Sequence, residues 1–464
     1  MKIHFNGAAH TVTGSQHLVE VNGKCLLLDC GLFQGRRADT YEKNLNFSFD
    51  PARVDAVVLS HAHIDHSGNL PNLVRCGYEG PIFATPPTAT LGNIMLMDSA
   101  HIQESDVEYV NKKNARRGEP AVAPLYTRVD AAAAIERYYP VKYEEPFSPI
   151  PGVTVRFFDA GHILGSAAIR LDVDEHGSRK SLWFSGDIGR SDLPIITDPV
   201  LPFDVDYLMM ECTYGDEEHL TVEEAYESFR VITRKTVDRG GKVIIPAFAV
   251  GRTQEIVYFL NRMITAGEIP PIPVYVDSPL AVEASQIFAD YPEYFDAETN
   301  AFIRDHRHPA LDFKNLVYVS SVEESKSLND KKGPLVIISA SGMAENGRIL
   351  HHLKNNVENP NNTVMIVGWQ APDTLGRRLV DGNKEVKIFG QKYEVRAEVE
   401  VIHGLSAHAG QGGLLKYAAA VKGRTKQIFL VHSEEDAATV FMSKLDELGI
   451  SPYSYPDKGE IAEI

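Results

Sequence analysis

The residues best equipped for chemistry are His61-Ala62-His63-Ile64-Asp65-His66. Imidazole and carboxylate together suit a borderline divalent cation such as Zn²⁺. The motif directly follows a continuous apolar run, residues 54–60, that reads as a buried strand. Residues 69–77 then read as a helix stopping at a glycine. A loop between strand and helix lets all four side chains converge. Six residues cannot close two metal sites, so further ligands must come from elsewhere. His162, in Asp159-Ala160-Gly161-His162-Ile163-Leu164-Gly165-Ser166, and Asp187, in Ser185-Gly186-Asp187-Ile188-Gly189-Arg190, fit that need. Both follow strand-like runs, and flanking glycines permit close backbone approach. Singly, either residue also reads as a turn former. In this order they complete a metal constellation.

These residues need elements to position them. Two short apolar runs, residues 17–21 and 24–29, flank Asn22-Gly23, a hairpin signal. Strand patterns return at residues 153–160, 167–173, 181–185 and 207–211. After about Gly215 strands alternate with helices, as in a Rossmann-like α/β domain with a parallel sheet. From about Tyr393 the first style resumes, with strands expected at residues 399–403 and 427–432. The organisation predicted is one domain interrupted by another: residues 1–214, an insert at 215–390, and a return segment at 391–464.

Bulk properties exclude several classes. The chain has 464 residues, 44% hydrophobic and 23% charged, which rules out disorder and collagen-like structure. Its net charge of -17 argues against non-specific wrapping of nucleic acid. Cys25, Cys30, Cys76 and Cys212 form no C-x-x-C pair, which suits a reducing compartment without a disulfide framework. The N-terminus lacks the apolar core of a signal peptide, and no stretch approaches the roughly 18–20 apolar residues of a membrane helix. The expectation is a cytoplasmic protein with no membrane partner.

His-x-His-x-Asp-His, then a distant His, then Asp in a Ser-Gly-Asp context resembles the metallo-β-lactamase superfamily. The resemblance spans residues 1–211 and resumes near Tyr393. It implies an α/β fold, an αββα sandwich with a binuclear site on one edge. It also implies two Zn²⁺ per chain: His61, His63 and His162 on one, Asp65 and His66 on the other, Asp187 bridging. Asp29, in Leu28-Asp29-Cys30-Gly31, matches an orienting carboxylate of that family.

Small-molecule hydrolases of this fold usually lack an insert of roughly 175 residues. Three later motifs are similar to the β-CASP branch, which acts on nucleic acids. Glu211 ends a strand in Met210-Glu211-Cys212; His408 lies in Leu405-Ser406-Ala407-His408-Ala409; His432 lies in Leu430-Val431-His432-Ser433-Glu434. The insert carries further matching stretches, residues 246–255, 277–281, 339–343, 368–371 and 374–377. Gly410, Ser433 and Asp373 depart from the residues that relatives usually carry. His432 at its position is associated with RNA-directed members, and would complete the second zinc. The layout resembles bacterial and archaeal relatives of the endonuclease subunit of the cleavage and polyadenylation machinery, reduced to a catalytic core. A symmetric homodimer is common in such relatives.

The function implied is a zinc-dependent ribonuclease, cutting single-stranded RNA endonucleolytically in a cleft between the domains. A hydroxide bridging two zincs would attack the phosphodiester in line, with Asp65 able to accept its proton. His408, oriented by Glu211, would be general acid to the leaving oxygen. A DNA nuclease and a small-molecule phosphodiester or ester hydrolase are the alternatives. Phosphate handling is expected from the insert. Ser341 and Gly342 sit between a strand and a helix, where backbone N–H groups can hold an anion. Arg252 and Arg377 could bind phosphate bidentately or form salt bridges between the domains. With Arg348, Arg378 and the Lys112–Arg117 run, they are expected to gather near the cleft of an acidic body. That run could equally be a solvated helix face.

Overall fold

The computed structural model describes residues 1–35 and 37–464. They form two compact units: residues 1–191, 198–218 and 408–464, and residues 192–197 and 219–407.

The first unit holds two mixed sheets. One runs Ile461–Glu463, Lys2–Phe5, His17–Val21, Lys24–Leu28, Ala56–Val58, Ile82–Ala84, Tyr138–Pro140. The other runs Tyr453–Ser454, Gln427–Val431, Tyr207–Glu211, Ser178–Phe184, Ala167–Glu175, Val153–Asp159. Period-two alternation assigns each strand face to a layer. Phe429 and Val431 join Phe5, Val19, Leu28, Val58, Phe157 and Ile169 between the sheets, while Ile428 and Leu430 pack outward with Leu414, Tyr417 and Phe441 of two helices. On the opposite side Leu27, Val57 and Leu59 pack outward on Leu70, Leu73 and Leu96. Each sheet is thus buried on both faces, which gives the αββα order. Asn22 and Gly23 take left-handed φ values of 51° and 75°, as the expected hairpin turn requires.

The long helix Pro86–Arg117 is capped by the Thr85 side chain and stopped by left-handed Gly118. Its basic last turns are exposed: Lys112 lies near Glu108 and Arg117 near Glu119. Cations there suit the negative end of the helix dipole.

The second unit is built on a six-stranded, all-parallel sheet in the order Leu316–Tyr318, Val274–Val276, Leu335–Ser339, Lys242–Pro246, Thr363–Ile366, Glu398–Val401. Helices Val222–Asp238 and Arg252–Thr265 flank the strand Lys242–Pro246 in the chain. One expectation is corrected. The strand placed with the return segment, near residues 399–403, pairs in parallel with Thr363–Ile366 and belongs to the inserted sheet. Lys235 and Arg239, at the end of helix Val222–Asp238, clamp its Glu398. The return to the first unit falls at His408.

Candidate metal centre

The HxHxDH loop is stitched to its neighbours by backbone bonds. Strand Ala56–Val58 leads to buried Ser60 and His61, and the short helix Ile64–Ser67 presents Asp65 and His66. Ser15 N–H donates to the Asp65 carbonyl at 2.8 Å and Cys30 N–H to the His66 carbonyl at 2.7 Å. Gly31 permits this approach, since a Cβ there would lie 1.6 Å from the Asp65 carbonyl oxygen. Asp29 is buried with φ 59°, a conformation unusual for a residue with a Cβ. Its carboxylate accepts Ser60 N–H at 2.7 Å and the Ser60 and Ser15 hydroxyls at 2.9 and 3.1 Å. It also faces His66 Nδ1 at 2.7 Å, which leaves His66 Nε2 free to turn into the site.

The other donors arrive on three further loops. His162 follows strand Val153–Asp159, and its N–H donates to Ser166 Oγ at 3.0 Å. Asp187 follows strand Ser178–Phe184. Gly189 joins these two loops, donating to the Ala160 carbonyl at 2.8 Å; a Cβ there would lie 1.7 Å from the Gly161 oxygen. Ala409 N–H donates to the Ile188 carbonyl at 2.8 Å and thereby seats His408. His432, with φ 52°, donates its N–H to the Ala8 carbonyl at 2.6 Å.

The geometry brings the expected ligands together. His61 Nε2 and His162 Nε2 each lie 3.1 Å from His63 Nδ1. His66 Nε2 lies 3.3 Å from His432 Nε2. Ring nitrogens converging in this way can share protons, their roles set by tautomer, or be held together by a cation. Asp187 spans both groups. Its Oδ2 lies 3.4 and 3.5 Å from His61 and His162, and its Oδ1 lies 3.1 and 3.7 Å from His66 and His432. Asp65 Oδ2 lies 3.7 Å from His432 Nε2. Two donor groups, His61/His63/His162/Asp187 and Asp65/His66/His432, each fall within 4.8 Å. The donor set is nitrogen and oxygen without thiolate, as a zinc-like cation accepts. These residues fit a metal.

The electrostatics agree. Burial holds His61 and His162 well below the usual imidazole range and lowers His63, so all three are neutral donors. Burial opposes the charge on His66, but Asp187 and Asp29 outweigh it and raise His66 well above that range. Asp187 stays ionised despite burial because His66 and His432 stand beside it. Burial likewise opposes the charge on Asp65, yet the neighbouring His432 and His66 lower it to about 2.

Beside this lies a second device. Glu211, fully buried at the end of strand Tyr207–Glu211, faces His408 Nδ1 through both oxygens, at 3.0 and 3.2 Å. Burial disfavours the His408 cation, but Glu211 and Asp187 prevail and raise it to about 9. His408 Nε2 points to Asp187 Oδ2 at 3.8 Å.

The expected phosphate ligands belong to the second unit, and each has a protein partner within it. Arg252 is buried and ion-paired with Glu255, one turn along its helix. Arg377 pairs with Asp381, Arg378 approaches Glu345, and Arg348 donates to buried Asp277 at 2.6 Å. Ser341 Oγ accepts the N–H groups of Glu345 and Asn346, and the Gly342 carbonyl accepts Gln370 Nε2.

Sequence reasoning passed over several contributors. Ser60 Oγ touches Asp29 and lies 3.1 Å from His61 Nδ1; Thr213 Oγ1 lies 3.1 Å from His432 Nδ1. Each is a hydroxyl next to, or two residues from, a motif residue, and that adjacency was the available signal. His17 had none. It is fully buried between Phe5 and Phe184, neither ring nitrogen has a partner among the described residues, and burial together with His66 and His432 lowers it to about 3.

Fold and site together define a metallo-hydrolase with its metal-ligand loops gathered at one end of an αββα sandwich. Comparison with known families agrees segment by segment. Residues 18–178 match the metallo-beta-lactamase superfamily domain, residues 253–379 the Beta-Casp domain, and residues 392–456 the Zn-dependent metallo-hydrolase RNA specificity domain. The chain is 37% identical over 431 residues to ribonuclease TTHA0252 of Thermus thermophilus, covering 93% of this chain and 92% of that protein. It is 30% identical to an RNase J-like protein of Methanocaldococcus jannaschii, covering 99% of both. It is also 30% identical to the transcription termination factor FttA of Methanosarcina mazei, covering 95% of this chain and 68% of that protein. A crystal structure of a protein of unknown function from Enterococcus faecalis shares the fold, with TM-score 0.56, 12% identity and 99% of both chains covered. The chain belongs to the β-CASP RNA nuclease family of the metallo-β-lactamase superfamily, and it is a metal-dependent hydrolase.

Proposed function

We propose that this protein is a zinc-dependent ribonuclease that hydrolyses phosphodiester bonds within single-stranded RNA. The observation that carries this reading is Asp187, whose two oxygens face the two separate donor groups. His61, His63 and His162 would hold one zinc, Asp65, His66 and His432 the other, with Asp187 shared. When bound, the pair supplies Lewis acidity that activates water and offsets charge on the phosphoryl oxygens.

The chain's own groups do the rest. Asp65, ionised and mostly buried, can accept the proton of the attacking water. Attack forms a bond from the water oxygen to phosphorus, and the bond from phosphorus to the leaving ribose oxygen breaks. His408 donates the Nε2 proton to that oxygen. Glu211 holds the ring through Nδ1, so Nε2 carries the transferable proton. The choice of RNA is supported by the RNA specificity domain match and by the names of the relatives. A cytoplasmic location fits four free cysteines.

The test is direct. The purified chain is assayed for zinc and incubated with end-labelled single-stranded RNA, single-stranded DNA and bis-p-nitrophenyl phosphate, beside His61→Ala/His63→Ala. Internal, chelator-sensitive cuts in RNA are expected, with the double variant inert. Equal RNA cleavage by the variant, or cleavage of the small ester alone, overturns the reading.

A further inference from the structure

The inserted sheet has one switch point. From strand Lys242–Pro246 the chain moves to one side, through Val274–Val276 and Leu316–Tyr318. It returns at Leu335–Ser339, which pairs directly with Lys242–Pro246, and then crosses to Thr363–Ile366 on the other side. In open α/β sheets, ligands bind beyond the carboxyl ends of the strands at such a reversal. The loops that follow these three strands meet there. Gly342 lies against the Phe248 ring, 2.9 Å from where its Cβ would be, and its carbonyl accepts Gln370 Nε2 at 3.1 Å. A side chain at Gly342 would displace the ring. Phe248 and Trp369, the residue before Gln370, are 47% and 56% exposed.

Two large aromatic side chains stand in water on adjoining loops, a combination suited to holding planar ligands. The surroundings select its chemistry. The neighbours are polar: the Gln370 amide, Ser341, the Glu345 carboxylate and the half-exposed guanidinium of Arg378, 3.9 Å from Glu345. Single-stranded nucleic acid fits this mixture: its bases offer π-faces to the two rings and its phosphate backbone suits the Arg378 cation.

We propose that Phe248 and Trp369 form a stacking platform for the bases of single-stranded RNA, a positioning site within the inserted domain. It rests on the reading of the chain as a ribonuclease. Stacking of this kind accepts any base, so it would grip the strand without reading its sequence.

Trp369 provides its own probe. The chain has two tryptophans, and Trp183 is fully buried. The full-length chain, treated with chelator to prevent cleavage and kept at a temperature where circular dichroism shows it folded, is titrated with a uridine octamer and with an abasic octamer of the same backbone. The octamer is expected to quench tryptophan fluorescence and the abasic strand is not. By anisotropy of labelled RNA, Phe248→Ala and Trp369→Ala should each raise Kd roughly 5- to 150-fold, while Trp369→Phe stays close to wild type. Circular dichroism checks that both variants are folded. Equal binding of the abasic strand, or unchanged Kd in both alanine variants, overturns the platform. RNA cleavage by the untreated chain is scored separately. Cleavage with unchanged variants sinks the platform alone; no cleavage of any RNA sinks the catalytic reading, while quenching by the octamer still upholds the platform.

Discussion

His408 Nδ1 lies 3.0 Å from Glu211 Oε1, and the same oxygen accepts Ile188 N–H at 2.6 Å. Glu211 Oε2 is also placed, 3.3 Å from Thr213 N–H. The carboxylate therefore cannot swing to follow the imidazole. It fixes the ring, and the backbone after Asp187 fixes the carboxylate. The acid candidate and the shared metal-ligand candidate are thus set by one short piece of chain.

His408→Ala should lower kcat by about 10²–10⁴-fold, the range for a positioned proton donor, with zinc per chain unchanged. His408 also falls in a donor group with Asp187 and Glu211, so metal analysis of the variant is the decisive measurement. Loss of zinc would make His408 a ligand. Glu211→Gln should lower kcat less. It should also move the alkaline limb of the kcat profile to lower pH, since a carboxylate that favours the imidazolium has been removed.

Zinc should stabilise the fold as well as activate it. A ligand that binds only the folded chain raises Tm in a concentration-dependent manner. Thermal unfolding of chelated protein against added zinc should show that rise, and His61→Ala/His63→Ala should show a smaller one. An identical response in the variant would place the stabilising metal elsewhere.

Gly31→Ala and Gly189→Ala should each lower zinc affinity at least about tenfold, as disturbed supporting contacts do. The atoms that a new Cβ would strike are backbone, the Asp65 and Gly161 carbonyls, and cannot rotate away. Competition with a chromogenic chelator measures this. Unchanged affinity would show that the loops yield without moving the ligands.

Glu398 should make the inserted domain acid-sensitive. Burial opposes its charge, but Lys235 and Arg239 hold its carboxyl down at about 2, below the 4.5 of a free glutamate. A depressed acid stabilises above its unfolded pKa and loses that contribution as pH falls through the folded one. Glu398→Gln should therefore be less stable than wild type at pH 7. In urea titrations the gap should close between about pH 4.5 and 2. A constant gap across that window would refute the clamp.

The metal loop was legible because its ligands are contiguous and follow a buried strand, so local chemistry alone suffices. His408 and His432 were legible only through family resemblance, since each is a single histidine in an ordinary loop. The strand Glu398–Val401 was misplaced because its alternation suits either sheet; its partner Thr363–Ile366 is a non-local fact. The Arg252–Glu255 pair, three residues apart on one helix, could have been read from spacing. Arg348 with Asp277 could not, because 71 positions separate them.

The donor set stretches from His61 to His432, with the whole inserted domain between Asp187 and the last ligand. On the ribosome this becomes a matter of timing. Translation at about 5–20 residues per second needs roughly 12–50 s to travel from Asp187 to His432. Throughout that interval the emerging chain holds three of its four ligand loops and lacks the second group's final donor. A nuclease assembled this way cannot complete its site while most of its own message is still being read.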